Sequence, residues 1–141
     1  GLVHGVSNWA EPVDTICNCC KDCCMWFKAY HEFGHGKSMD ASNYQAKIHP
    51  ETCKACGLCV KRCPMEVIRL ETSDKATNKK GKVAVIETDL CIGCGVCAYK
   101  CPTESIILVR REKITEPPAD TREYVTKFIN DFSDPLPKRK I

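Results

Sequence analysis

The chain contains few aromatic residues and no long apolar segment. Phe, Trp and Tyr make up 7% of its 141 residues, so its hydrophobic core must be small and needs reinforcement. No run approaches the roughly 20 apolar residues of a membrane helix. Residues 1–16 lack the basic start and apolar stretch of a secretory signal. We therefore expect no membrane span and a reducing, cytoplasmic compartment.

Signatures of enzymes and of nucleic-acid binding are also missing. There is no phosphate-binding loop and no dinucleotide fingerprint, so we do not expect the chain to be an enzyme on its own. The basic residues 137–140 form a short tail without aromatic residues around it, and no nucleic-acid partner is expected. "HEFGH" (31–35) matches the zinc-protease pattern, but Gly34 disfavours the helix that this pattern requires. We interpret it as a loop.

Cysteine, in contrast, is abundant. The chain has 13 cysteines, a fraction typical of disulfide scaffolds and metal proteins. Because the number is odd, disulfides alone cannot pair every thiol. In a reducing compartment thiols bind metals rather than each other, so the composition favours a metal protein.

A half-module occurs twice, with an offset of 38 residues. The matched pairs are Ile48/Ile86, Cys53/Cys91, Cys56/Cys94, Gly57/Gly95, Cys59/Cys97, Cys63/Cys101 and Pro64/Pro102. Each copy is predicted to contain a short strand, a cysteine loop, a helical turn and a second strand. Residues 72–82 have nothing to bury and are predicted to form the exposed loop between the copies.

The spacing of the repeated cysteines indicates their chemistry. Both "CKACGLCVKRCP" (53–64) and "CIGCGVCAYKCP" (91–102) have three cysteines at intervals of three, then Cys-Pro. Thiolates are soft ligands that select iron–sulfur clusters, zinc or copper, and this run is the bacterial iron–sulfur signature. Zinc ribbons instead pair Cys-x2-Cys units across a longer gap. Two structural zinc sites are therefore the weaker alternative.

On these motifs, residues 46–110 resemble a bacterial-type dicluster ferredoxin. The resemblance implies an α+β, ferredoxin-like fold with pseudo-twofold halves, short antiparallel strands and two short helices, and it implies two 4Fe–4S clusters. Carried over to this sequence, the ligands would be Cys53, Cys56, Cys59 and Cys101 for cluster 1, and Cys91, Cys94, Cys97 and Cys63 for cluster 2. Gly57 and Gly95 would adopt backbone conformations that a Cβ atom disfavours. The implied partners are redox proteins that donate and accept electrons, such as flavoproteins or larger oxidoreductase subunits.

The charge departs from that family, whose members are commonly acidic. Residues 46–110 contain eleven Lys or Arg and seven Asp or Glu. Two oxidised clusters with their thiolates carry a negative charge close to this positive excess. We interpret the lysines and arginines beside the cysteines as ordinary solvated side chains.

A second cysteine-rich stretch, "CNCCKDCC", precedes the repeat. It contains Cys17, Cys19, Cys20, Cys23 and Cys24. Positions 17, 20 and 23 repeat the ferredoxin spacing, but Phe27 stands where a fourth cysteine is due. Similar stretches precede dicluster modules in some longer iron–sulfur proteins of anaerobes. Three interpretations stay open: a third iron–sulfur cluster, a zinc or other metal site, and thiol or disulfide chemistry. If the stretch is helical, positions 17, 20 and 24 share a face.

The remaining segments are interpreted as extensions. We predict a cysteine-rich N-terminal extension (1–45), a dicluster module (46–112), and a C-terminal helix with a basic tail (113–141). Residues 36–46 are expected to be a linker, and 133–141 to be irregular. The helix is predicted from about 120 to 132, capped by Asp120 and Glu123. Its apolar stripe is predicted to pack on the module; the members are Tyr124, Val125, Phe128, Ile129 and Phe132.

The predicted function is electron transfer through two clusters. The alternative is a relay subunit or fragment of a larger oxidoreductase, with a third cluster at the N-terminal cysteines. A third possibility is a redox sensor, in which those cysteines report oxidation.

Overall fold

The computed structural model describes residues 1–36 and 38–131. The predictions for Phe132, for the irregular segment 133–141 and for its basic residues lie outside the described residues. The strands are β1 Val3–Val6, β2 Ile16–Cys19, β3 Tyr44–Ile48, β4 Ile68–Thr72, β5 Lys82–Ile86 and β6 Ile106–Arg110. The helices are α1 Met25–Glu32, α2 Leu58–Arg62, α3 Val96–Tyr99 and α4 Thr121–Asp131, with 3-10 turns at Pro50–Thr52 and Thr88–Leu90.

The chain divides into two compact units. One, the central unit, spans Asp40–Lys113; the other, the terminal unit, comprises the described parts of 2–39 and 114–131. The strands of the described residues pair into three two-stranded antiparallel sheets. Such small sheets have little stability by themselves, so each unit depends on what packs against them.

In the central unit the outer strands pair with each other, and so do the inner strands. β3 pairs with β6, with Ile48 opposite Ile106. β4 pairs with β5, with Ile68 opposite Ile86. The first and last strands of the duplicated segment are thereby joined, and the order strand, 3-10 turn, helix, strand occurs twice. This gives a small α+β fold with short antiparallel strands.

β3 shows that the predicted linker at 36–46 was placed too far along the chain. Tyr44–Ile48 is a strand in which Ala46 is only 4% exposed. Its alternation of apolar and polar residues covers only five positions and follows a polar segment, so the period-two signal was weak. Pairing with the apolar β6 decides its conformation.

The core of the central unit consists of small and medium-sized side chains. Its buried apolar residues outside the cysteines are Ala46, Ala55, Met65, Val67, Ile68, Val83, Ala84, Ile92, Val96 and Ile106. None of them is aromatic. A core of this kind has too little apolar area to stabilise four short strands unaided.

The terminal unit joins segments that the sequence analysis treated as separate extensions. The N–H groups of Ala10 and Glu11 donate to the carbonyls of Pro118 and Ala119, at 2.8 and 3.2 Å. The ring of Trp9 lies 5.5 Å from that of Tyr124. The β1–β2 hairpin and α1 belong to the same unit. Contacts far apart in sequence hold the two chain segments together here.

α4 begins at a reciprocal cap. The N–H of Glu123 donates to Oδ1 of Asp120 at 2.9 Å, and the carboxylate of Glu123 accepts from the N–H of Ala119 at 2.8 Å. Both orphan donors of the first turn are thereby satisfied. Val125, Phe128 and Ile129, from the predicted stripe, are 39–61% exposed.

The zinc-protease pattern does not lie on one helix. α1 ends at Glu32, so His31 is helical while His35 lies beyond the helix. Among the described residues, no helix has the length and apolarity required to cross a bilayer.

Candidate functional site

The two cysteine runs form loops of the same construction. Each starts at a 3-10 turn, where the N–H of Cys53 donates to Pro50 O and that of Cys91 to Thr88 O, both at 3.3 Å. Each loop reaches a left-handed glycine, which then caps a short helix. The φ angles at Gly57 and Gly95 are 78° and 73°. This conformation suits glycine because it lacks a Cβ atom, and the expectation for these two positions is confirmed.

Two cavities lie beside these loops, each enclosing about 350 Å³ of empty space with the open mouth included. The first cavity is lined by Cys53, Cys56, Cys59 and Cys101, and Cys97 also reaches it. The second cavity is lined by Cys91, Cys94, Cys97 and Cys63. Each cavity therefore combines the first three cysteines of one run with the last cysteine of the other run.

Apolar side chains supply most of the other walls. Leu58, Leu70, Ala84 and Ile106 line the first cavity. Met65, Val67, Ile68, Ile86 and Ile92 line the second. Such walls keep water away from a bound group and lower the local dielectric, which are two levers on a metal centre.

In the second cavity, burial disfavours the charged form of the thiols. Burial raises the pKa of Cys97 to about 12, and negative charge at Cys94 and Cys63 raises it further. Burial also raises the pKa of Cys94, with added effects from Cys63 and Cys91. Because metals bind thiolates, metal binding here must displace protons. The four cysteines are close enough to influence each other electrostatically.

In the first cavity the cysteines have contrasting environments. Burial raises the pKa of Cys59, and negative charge at Cys56 and Cys53 adds to this. Burial also acts to raise the pKa of Cys101, but hydrogen bonds from the N–H and hydroxyl of Thr103 outweigh it and lower that pKa. Hydrogen bonds to sulfur of this kind stabilise negative charge on a ligand.

Backbone strain is concentrated in the ligand loops, at positions that the sequence analysis missed. Ala55 and Gly93 have φ angles of 50° and 72°. Glu66 and Glu104, just after the two Cys-Pro pairs, have φ angles of 57° and 50°. Both pairs obey the 38-residue offset, so the repeat itself was the signal that could have found them. Non-glycine residues adopt such angles only when the surroundings impose them.

The loop at 72–82 is not the free connection that the sequence analysis predicted. The Thr77 hydroxyl donates to Glu51 O at 2.6 Å, and the Asn78 amide donates to Cys53 O at 2.8 Å. The Lys80 ammonium donates to Ala55 O at 3.1 Å. Three consecutive contacts on alternate carbonyls thus clamp the first ligand loop. The pattern was invisible locally because it joins segments about 25 residues apart.

Arg111 has a corresponding role at the second ligand loop. Its guanidinium donates to the carbonyls of Cys91 and Ser42, the latter at 3.0 Å. Each ligand loop is therefore held from outside by a basic side chain. The charge is placed next to cysteine backbone, where it offsets negative charge on a bound group.

Among the eight cysteines of the two runs, only Cys56 is exposed. Cys53, Cys63, Cys91 and Cys97 are buried, and Cys59, Cys94 and Cys101 are intermediate.

The N-terminal cysteines lie in the terminal unit and are not helical. Cys17 and Cys19 belong to β2, and Cys24 immediately precedes α1. The helical arrangement considered for 17, 20 and 24 is therefore wrong, because the β1–β2 pairing extends the stretch. Negative charge at Cys24 and Cys17 adds to burial in raising the pKa of Cys19 to about 11. All thirteen cysteines are free thiols.

Within the described residues, no three His, Cys, Asp or Glu side chains converge closely enough to hold a single metal ion. A single zinc ion needs its ligands about 2.3 Å away. A cluster binds one thiolate on each of several irons, so its ligands stand further apart. Two cysteine-lined cavities without a compact single-ion site fit a cluster better than an ion.

The comparison with known families agrees with this geometry. Residues 52–105 match the profile of a family described as a 4Fe-4S dicluster domain. These residues form an iron–sulfur module of the ferredoxin type. No curated protein matches the chain.

The ferredoxin module contains both ligand loops and both cavities, whereas the N-terminal cysteines lie outside the matched residues. A module of this type indicates an iron–sulfur role in electron transfer, with redox partners in general. The residues present fit such a group, because the cavities offer soft thiolates inside apolar walls.

Asn78 offers a direct test of the clamp in the ferredoxin module. Its amide donates to Cys53 O and to Lys82 O, the latter at 2.6 Å. Asn78→Ala removes both bonds, worth about 1–2 kcal/mol in total. Iron release to a chelator under anaerobic conditions is expected to accelerate by roughly 5–30-fold, if release follows local opening of this loop.

The neighbouring change Lys79→Ala is the matched control. Lys79 is exposed, and a surface substitution of this kind changes stability by no more than about 0.5 kcal/mol. Equal release rates for the two variants would show that the clamp does not protect the ligand loop.

Proposed function

We propose that the ferredoxin module transfers electrons through two 4Fe–4S clusters. One would be held by Cys53, Cys56, Cys59 and Cys101 in the first cavity, and the other by Cys91, Cys94, Cys97 and Cys63 in the second. The observation that carries the proposal is the exchange of the last cysteine between runs, since each cavity contains the fourth cysteine of the opposite run. A pseudo-twofold relation between the halves would account for this exchange.

When bound, each cluster takes up and releases one electron. The chain's own residues control where and how easily this happens. The apolar walls exclude water. The N–H and hydroxyl of Thr103 donate toward Cys101, and such hydrogen bonds stabilise the more negative state. The clamped loops limit rearrangement when the charge changes.

The partners would be redox proteins that deliver and remove electrons, such as flavoproteins or subunits of a larger oxidoreductase. No catalytic residue is proposed, because the cofactor supplies the chemistry. The alternative is a relay subunit or fragment of a larger complex, in which Cys17, Cys19, Cys20, Cys23 and Cys24 hold a third cluster or another metal. Five free thiols within eight residues support that alternative.

Iron and acid-labile sulfide per chain test both proposals. We expect about eight irons for two clusters, together with an EPR signal of interacting clusters after reduction. A variant with serine at positions 17, 19, 20, 23 and 24 is the control. It is expected to keep about eight irons if those cysteines bind none.

About twelve irons in the natural sequence, falling to about eight in the serine variant, would instead support the third cluster. Zinc in place of iron would overturn the assignment. If iron stays at about eight and the N-terminal thiols are readily alkylated in the folded protein, thiol chemistry becomes the better interpretation of that stretch.

A further inference from the structure

The proposed first cluster has one ligand that reaches the surface. Cys56 is exposed, whereas every cysteine lining the second cavity is buried or intermediate. Electron tunnelling weakens with distance, so a partner would approach most closely at Cys56. The module therefore has a preferred face for electron exchange.

That face carries an excess of positive charge. The loop 73–82 contains four lysines and one acidic residue, Asp74. The lysines, all exposed, are Lys75, Lys79, Lys80 and Lys82. On the ligand loop itself, Lys54 and Glu51 are exposed and offset each other. We call the loop 73–82 the basic loop.

The structure fixes the basic loop beside Cys56. Lys80 donates to the carbonyl of Ala55, the residue before Cys56, and Asn78 donates to that of Cys53. Inside the loop, the N–H of Gly81 donates to Asn78 O at 3.0 Å, and the N–H of Ser73 to Gly81 O at 3.1 Å. The charge is therefore held at a defined place rather than spread over a solvated linker.

Positive charge held next to an electron exit favours a partner of opposite sign. Complementary charge speeds the encounter and selects against partners of like charge. The basic loop makes no ion pair with the two acidic residues named above among the printed contacts of its lysines, and its ammonium groups point to no competing carboxylate there.

We propose that electrons enter and leave the module at Cys56, and that the basic loop docks an acidic redox protein there. This inference rests on the proposed electron-transfer function and adds the site and the charge of the partner.

The test measures oxidation of the reduced, iron-loaded protein in stopped flow. The probes are the trianionic oxidant tris(oxalato)cobaltate(III) and the tricationic oxidant hexaamminecobalt(III), over a range of salt. The test variant is Lys75→Glu with Lys79→Glu, which leaves the three clamp donors in place. The control is Lys47→Glu with Lys113→Glu, two exposed lysines of the central unit outside the loop.

For the natural sequence, we expect the anionic probe to react fastest at low salt. The loop variant is expected to react about tenfold more slowly with that probe and faster with the cationic one, at the low end of what electrostatic steering achieves. The differences should disappear at high salt because the charges are screened. The control variant should change much less. The same order is expected with flavodoxin, an acidic protein acceptor, compared with basic cytochrome c.

Equal effects of the loop and control variants would overturn the inference, as would rates independent of salt. Both results leave the proposed function standing, provided that about eight irons are bound. A protein without iron would instead refute the proposed function itself. If the glutamate pair alters iron content, the Lys75→Gln and Lys79→Gln pair gives the same comparison with a smaller expected change.

Discussion

Removal of iron is expected to unfold the central unit. Its sheets have only two strands each, and its core outside the cysteines contains no buried aromatic residue among the described positions. Two-stranded sheets are marginal in water, and eight thiols face or adjoin the two cavities. Metal binding contributes on the order of 10 kcal/mol to folding in small metal domains, which is comparable to the whole stability of an ordinary domain.

Hydrogen exchange measured by mass spectrometry checks this expectation. After anaerobic chelation, the amides of β3, β4, β5 and β6 should lose their protection, and near-ultraviolet circular dichroism should collapse. A sample kept anaerobic without chelator is the control. Unchanged protection in an iron-free protein would contradict both the expected collapse and the role of the clusters as core.

Gly93→Ala is expected to have the largest effect of any single methyl addition in the ferredoxin module. Gly93 is buried, with a φ angle of 72°. A Cβ atom there would overlap the carbonyl of Tyr44 and the hydroxyl of Ser42. Left-handed strain costs about 1–2 kcal/mol, and overpacking adds about 1–3 kcal/mol. We expect a loss of about 3 kcal/mol or more, with reduced iron content after purification.

Gly81→Ala separates strain from overlap. Gly81 has a φ angle of 60°, and a Cβ atom there would meet nothing within 4 Å. This variant should lose only about 1–2 kcal/mol from backbone strain and keep its iron. Thermal unfolding and iron content of the two variants decide the matter. If they behave alike, the contact between Gly93 and β3 does not limit the site.

The ligand loops could be predicted because their chemistry depends on local spacing. Three cysteines at intervals of three surround one object, and the left-handed glycines follow from the same short motif. The short strands β4, β5 and β6 were also predictable, since each has a clear apolar pattern. The strand β3 was not, because its pattern is brief and its pairing partner lies about 60 residues away.

The clamp of the basic loop and the pairing of the two terminal segments were equally hidden. Asn78 and Lys80 appeared as ordinary polar residues of a linker, and their carbonyl acceptors lie in another half of the repeat. Likewise, nothing near Ala10 announces its hydrogen bond to Pro118. Hydrogen bonds between distant backbone groups leave no periodic trace in the sequence.

The amino-acid sequence by itself determined the type of chemistry, since soft thiolates at this spacing select iron and sulfide over other ligands. Only the tertiary structure decided which cysteine is accessible and which charges stand beside it. Accessibility depends on how distant segments cover one another, and that depends on the whole packing rather than on any single motif.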